Sequence, residues 1–270
     1  MLKQRLITAL ALIPLVLWLL FTSWMLPYQM LVALVLFLGL REWVSLLGGN
    51  RSLILLISLF AISVLFFLHT PFAFSEIILL NIAFLGCLLF MGAVLEIWLY
   101  PKTWLFQNRV IAMGYGTVLI TVFAYLLVAI KSIQPVCYFL LSVLLLTWAS
   151  DTGAYFAGRR FGKRKMAPQI SPKKTIAGFW GGALLTIIVA FLLALGGILP
   201  VSLKMSPIFA MVLHLAAVSG DLFESILKRH VNVKDSGQLL PGHGGMLDRI
   251  DSLLATLPVS VALSFILIRI

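Results

Sequence analysis

Nine apolar runs divide this chain, at 6–26, 29–47, 52–69, 77–97, 111–130, 136–157, 177–198, 205–227 and 252–268. A bilayer's hydrocarbon core is ~30 Å thick and takes ~20 helical residues to cross, whereas a barrel strand needs only ~9–11 residues of alternating polarity. Inside hydrocarbon every backbone N–H and C=O must pair within its own segment, so continuous runs of this length read as helices. The expected fold is all-α: a polytopic integral membrane protein of about nine transmembrane helices, with a polar site at the cytoplasmic rim. Composition agrees, with 62% hydrophobic and 11% charged residues, against about 25% charged in soluble domains. A soluble enzyme, a secreted disulfide scaffold and a disordered chain are excluded. Cys87 and Cys137 both lie in apolar surroundings and read as two buried thiols.

The first run follows Lys3 and Arg5, and no small-residue cleavage site closes it. Pro27-Tyr28 leads straight into the second run, so a retained helix is expected rather than a signal peptide. Gly48-Gly49-Asn50-Arg51 reads as a tight turn between the modest spans 29–47 and 52–69.

Charge is scarce and unevenly spread. The net charge is +11, and 6 of the 9 acids and 12 of the 20 basic residues fall between 151 and 251. Short cytoplasmic loops are enriched in Lys and Arg, so the excess is first a matter of topology and not of nucleic-acid binding. With the N-terminus inside, nine spans put 17 basic residues in the cytoplasm and only Lys131, Lys204 and Arg269 outside. The expected orientation is N-terminus in, C-terminus out, in a bacterial-type cytoplasmic (inner) membrane. No internal repeat stands out, which counts against a transporter built from repeats.

Three segments carry polar residues that a purely structural span tolerates poorly. Asp151 sits near the end of the sixth run, and an intramembrane carboxylate costs at least ~2.5 kcal/mol on insertion scales, so it faces a polar cavity, a partner or the headgroups. Ser171-Pro172-Lys173-Lys174-Thr175, followed by Gly178, Gly181 and Gly182, opens the next helix. Backbone N–H groups at a helix start, with lysines beside them, suit phosphate, while the glycines suit close helix packing. In the third segment Asp221, Glu224, Ser225 and Lys228 share one helix face, and Asp248 and Asp251 share another on a helix starting near 246. Hard carboxylate oxygens suit Mg²⁺ and neighbouring Lys and Arg suit phosphate, although a network of salt bridges uses the same residue types. His243, between Gly242 and Gly244-Gly245, reads as a phosphate contact or a loop-ordering residue. Neither a zinc-type histidine spacing nor a nucleophile elbow is present.

The stretch Ser225-x-Leu227-Lys228-Arg229, Lys234-Asp235-x-Gly237, Leu240-Pro241-x-His243-Gly244-Gly245-Met246-x-Asp248-Arg249-Ile250-Asp251 closely resembles the signature of the phosphatidate cytidylyltransferases (CDP-diacylglycerol synthases). Ser150-Asp151-Thr152 with Ala154-Tyr155, Gly158-Arg159 with Phe161-Gly162-Lys163, and Ser171 to Thr175 also look like that family. The motifs fall in 141–270, which is expected to hold the catalytic helices and loops; 1–140 resembles the family only in being helical and membrane-embedded. One departure is visible: the family often has a Glu where this chain has Ala177.

The resemblance implies that CTP and phosphatidate react to give CDP-diacylglycerol and pyrophosphate, with Mg²⁺ as cofactor. It implies Asp221, Asp248 and Asp251 around the metal, with Lys228 also catalytic. Lys173, Lys174, Thr175, Ser225, Arg229, Arg249, His243, Gly244 and Gly245 would contact substrate phosphates. Asp151, Glu224, Lys234 and Asp235 would complete the polar pocket. The implied partners are CTP, phosphatidate and membrane lipids, with no nucleic acid; a homodimer is a family-based expectation. The rival readings are a related lipid-phosphate or polyprenol-phosphate enzyme and a transporter with a carboxylate relay. The Asp-Gly-x₂-Ala-Arg pattern of CDP-alcohol phosphotransferases is absent, and the acids gather at one rim instead of spreading through the spans.

Overall fold

The computed structural model describes residues 14–67, 76–133, 137–237 and 244–268. Among them the chain is helical at 14–21 (α1), Met25–Leu46 (α2), Arg51–Phe67 (α3), Glu76–Leu99 (α4), Arg109–Ile133 (α5), Tyr138–Phe161 (α6), Ile176–Leu195 (α7), Ser206–His230 (α8) and Leu247–Ile268 (α9). Seven of these, α2 and α4 to α9, are long and apolar enough to cross a membrane. Helix α3 has 17 residues, or about 25 Å at 1.5 Å per residue, short of the ~30 Å core. The helical segment at 14–21 starts where the described residues start. The protein is thus an all-α polytopic membrane protein, as the apolar runs require.

The segment 158–175 departs from a plain charged loop. Helix α6 runs on to Phe161, and a two-stranded antiparallel hairpin follows, β1 (Lys165–Ala167) and β2 (Ser171–Thr175). The register pairs Lys165 with Thr175 and Ala167 with Ser171. Pro172 is tolerated because a two-stranded sheet consists of edges.

The chain forms two compact units. The first comprises Met1–Ile82, Pro101–Cys137 and Leu227–Ile250. Its core includes Leu36, Leu40, Trp43, Val44 and Leu47, a helical stripe on α2 and its C-cap, all buried. Trp43 donates its indole N–H to the Ala112 carbonyl at 2.9 Å, and Gly116 leaves room for the ring, because a Cβ there would collide with it. Buried Lys131 donates to the carbonyls of Leu20 (2.6 Å) and Thr22 (2.8 Å), satisfying carbonyls at the end of α1.

The second unit comprises Ala83–Tyr100, Tyr138–Ile226 and Asp251–Ile270. Here α6 and α7 lie against each other along glycines. A Cβ on Gly153 would come 2.5 Å from the Gly181 carbonyl oxygen, one on Gly178 would come 2.9 Å from that of Ala154, and one on Gly181 would strike Ala157. Small residues let backbones approach where lipid supplies no hydrophobic drive. The packing role expected of Gly178, Gly181 and Gly182 is therefore the one they perform. Pro258 sits inside α9, as transmembrane helices allow.

Candidate active site

In the second unit β2 delivers its lysines to the mouth of α7. Thr175 is the N-cap of that helix, and its Oγ1 accepts from the Gly178 N–H at 3.0 Å. Gly158 and Gly162 at the end of α6 leave room for the Thr175 side chain, which a Cβ at either position would crowd. Lys174 then reaches α8, with Nζ 2.7 Å from Asp221 Oδ2 and 3.1 Å from the Val218 carbonyl. Lys173, Lys174, Asp151, Asp221, Tyr155 and Thr175 line one cavity of ≈ 410 Å³, within the ~300–1,000 Å³ common for ligand sites. The structure thus brings Asp151 and the paired lysines together with Asp221, joining the first two polar segments to the third.

Beside this cavity's Asp221 stands a group of acids. Ligand oxygens of Asp221, Glu224 and Asp251 all lie within 4.8 Å of one another. Two features bring them together. Asp221 and Glu224 are three residues apart on one face of α8. Helix α9 approaches α8 at Gly220, where a Cβ would lie 2.6 Å from the Asp251 carbonyl oxygen. Ser225 Oγ is 3.4 Å from Asp221 Oδ1, a long contact. Three carboxylates at this spacing suit a hard divalent cation and would repel one another without a compensating charge.

In the first unit Asp248, in the opening turn of α9, accepts four hydrogen bonds. Lys228 Nζ reaches its Oδ1 at 2.7 Å. Its Oδ2 takes the Ser236 N–H and Oγ, both at 2.9 Å, and the Gly245 N–H at 2.8 Å. Lys228 and Asp248 are 13% and 11% exposed, a largely buried pair. Gly244 holds φ at +79°, a left-handed value that glycine adopts freely. Within the second unit, the acids grouped with Asp221 are Glu224 and Asp251. Arg229 and Arg249 are exposed at the end of α8 and the start of α9, and Lys234 and Asp235 are exposed in the bend after α8. His243 lies outside the described residues.

Sequence reasoning missed two groups. Glu42, near the end of α2, accepts from the Met246 N–H (2.8 Å), the Leu247 N–H (2.9 Å) and Ser236 Oγ (3.0 Å). The available signal was a lone carboxylate in an apolar run, which is costly unless it has work to do. His214, on α8, is 1% exposed and bonds Ser150 Oγ through Nδ1 at 2.8 Å, directly before Asp151. A histidine in the middle of an apolar helix carried the same signal.

The profile of the cytidylyltransferase family matches residues 3–267. The chain belongs to that family. A phosphatidate cytidylyltransferase of Pseudomonas aeruginosa is 35% identical over 269 residues, which is 97% of each chain. One of Haemophilus influenzae is 33% identical over 283 residues, 96% of each chain. One of Bacillus subtilis is 48% identical over a shorter stretch of 111 residues, 41% of each chain. In this cytidylyltransferase-family chain the lysine-lined cavity and the acid triad both lie in the second unit.

Proposed function

We propose that this protein transfers the cytidylyl group of CTP to phosphatidate, giving CDP-diacylglycerol and pyrophosphate. The observation that carries the reading, beside the full-length family match, is the cavity in which Lys173 and Lys174 stand with Asp151 and Asp221. A cavity lined by paired lysines and by acids suits a substrate whose phosphates and metal arrive together.

The chemistry asks little general-base work of the protein. A phosphate monoester has its second pKa near ~6, so phosphatidate is largely dianionic and already nucleophilic at neutral pH. Its phosphate oxygen forms a bond to the α-phosphorus of CTP while the bond from that phosphorus to the bridging oxygen of the β-phosphate breaks, and pyrophosphate carries away the electron pair. Catalysis is then positioning and charge neutralisation. Lys173 and Lys174 hold phosphate oxygens at the mouth of α7, where the helix N-terminus adds favourable potential. Asp151 adds a carboxyl to the lining of the same cavity.

Asp221, Glu224 and Asp251 fit a divalent cation by donor chemistry and mutual distance and would hold Mg²⁺. When bound, Mg²⁺ neutralises triphosphate charge and stabilises the leaving pyrophosphate. We assign Asp248 and Lys228 to the same reaction; Asp248 Oδ1 takes Lys228 Nζ, and its Oδ2 takes three further donors that fix the carboxylate. Ser225, Arg229, Arg249, His243, Gly244 and Gly245 complete the phosphate contacts, with Lys234 and Asp235 supporting them. The proposed setting is the cytoplasmic membrane of a bacterium, with the site facing the cytoplasm and the protein a homodimer.

The test supplies purified protein in detergent with labelled CTP, phosphatidate and MgCl₂, and follows lipid-linked cytidylate together with pyrophosphate. Both should appear in equal amounts and stop when phosphatidate is omitted. No lipid-linked cytidylate across a range of lipids, nucleotides and divalent ions would sink the proposal.

A further inference from the structure

We propose that Glu42, far from every motif of the C-terminal half, is a positioning residue for Asp248. The start of α9 lacks a local cap: Gly245 and Met246 precede Leu247, and neither has a side chain that accepts a hydrogen bond. A helix start leaves four backbone N–H groups without intrahelical partners. Glu42 supplies the acceptor from 204 residues away, taking the Met246 N–H on Oε1 at 2.8 Å and the Leu247 N–H on Oε2 at 2.9 Å. A carboxylate bridging two successive N–H groups fixes both the height and the rotation of the first helical turn, and Asp248 is the next residue.

A second link runs through Ser236. Its Oγ lies 3.0 Å from Glu42 Oε2 and 2.9 Å from Asp248 Oδ2. A hydroxyl has one proton, so Ser236 donates to one of the two carboxylates at a time. The strength with which Glu42 holds that proton therefore sets how much of it Asp248 receives. Two glycines make room for the arrangement. A Cβ on Gly237 would come 2.6 Å from Glu42 Oε1, and one on Gly245 would collide with Glu42 and Ser236. Glu42 thus gathers both described flanks of 238–243, namely Ser236-Gly237 and Gly245-Met246, around one carboxylate.

The link between this anchor and catalysis rests on the assignment of Asp248 to the reaction, so the test reads position and turnover separately. Wild type, Glu42→Gln and Asp248→Asn are compared as purified full chains in detergent. Hydrogen exchange is followed at the amides of Met246 and Leu247, and cytidylate transfer is measured over ranges of CTP and phosphatidate. Outer-shell partners of metal ligands typically cost about 10–100-fold in activity when lost, and an effect of that order is expected of this anchor. The expected result for Glu42→Gln is exchange at both amides at least about tenfold faster, with kcat lowered about tenfold or more and the KM for phosphatidate within about twofold, while the melting midpoint shows a folded protein. Exchange unchanged in Glu42→Gln overturns the proposal, whatever the turnover. Faster exchange with unchanged kcat overturns it as well, because the anchor would then be structural only. Full turnover in Asp248→Asn would strike the assignment of Asp248, and the exchange data would still decide whether Glu42 holds the helix start.

Discussion

Lys174 and Asp221 meet at 2.7 Å, tying the hairpin strand β2 to helix α8 within one compact unit. The pair is partly open, at 20% and 33% exposure, so its worth lies in placement more than in stability. It holds Lys174 in the lining of the cavity and keeps one oxygen of Asp221 occupied.

Replacing Lys174 by Met removes this placement without adding bulk. The expected outcome is turnover lowered at least about tenfold with the melting midpoint nearly unchanged, and partial recovery in Lys174→Arg, whose charge persists but whose geometry differs. Steady-state cytidylate transfer checks it. Wild-type rates in Lys174→Met would remove the lysine from the site.

The acid triad makes a prediction that does not depend on catalysis. Asp221, Glu224 and Asp251 have ligand oxygens within 4.8 Å, so Mn²⁺ as a probe should bind the purified protein, and Glu224→Gln or Asp251→Asn should weaken it by about tenfold or more. Titration by electron paramagnetic resonance measures free Mn²⁺ directly. Equal affinity in wild type and both variants would place the cation elsewhere.

These acids show where the sequence was readable. The spans were legible because hydrocarbon forces long apolar helices, and the spacing of Asp221 and Glu224 follows from helical periodicity alone. The grouping of Glu224 with Asp251 was not legible, since it depends on the approach of α9 to α8 at Gly220. Glu42 was overlooked because its partners, two backbone N–H groups of Met246 and Leu247, have no side-chain signature. The hairpin between the sixth and seventh apolar runs carries no signal of its own, because Lys- and Pro-rich strands show no apolar alternation. Helix position depends on local pattern; the joining of distant polar groups depends on packing that no local pattern encodes.

The glycine seam between α6 and α7 can be tested for stability alone. A Cβ at Gly181 would strike Ala157, and overpacking of this kind costs about 1–3 kcal/mol. Gly181→Val should lower the thermal midpoint in detergent, and Ala157→Gly on that background should restore part of it. No recovery in the double variant would mean that the two residues do not meet.

Orientation can be tested from charge. Of the 20 basic residues, 17 fall on one side if nine spans cross, and the proposed orientation puts that side in the cytoplasm. Single cysteines at the exposed positions Gln169 and Ser202, in a chain lacking Cys87 and Cys137, should label from opposite sides. Gln169, in the hairpin turn, should react only after the inner face is opened, and Ser202 from outside. Labelling of both from one side would mean that α7 does not cross.

The largely buried pair Lys228–Asp248 is asymmetric, and its two halves should fail unequally. Lys228→Met leaves Asp248 with the Ser236 N–H, Ser236 Oγ and Gly245 N–H, three of its four donors. Asp248→Ala deprives all of those donors of their acceptor at once and leaves a largely buried ammonium beside them. An unsatisfied buried polar group costs about 1–3 kcal/mol and a broken buried ion pair about 3–5. Asp248→Ala should therefore lower the melting midpoint more than Lys228→Met, and adding Lys228→Met to it should recover stability by removing the stranded charge. A double variant less stable than Asp248→Ala would show that Lys228 is held chiefly by other groups, and that the pair is not what fixes Asp248.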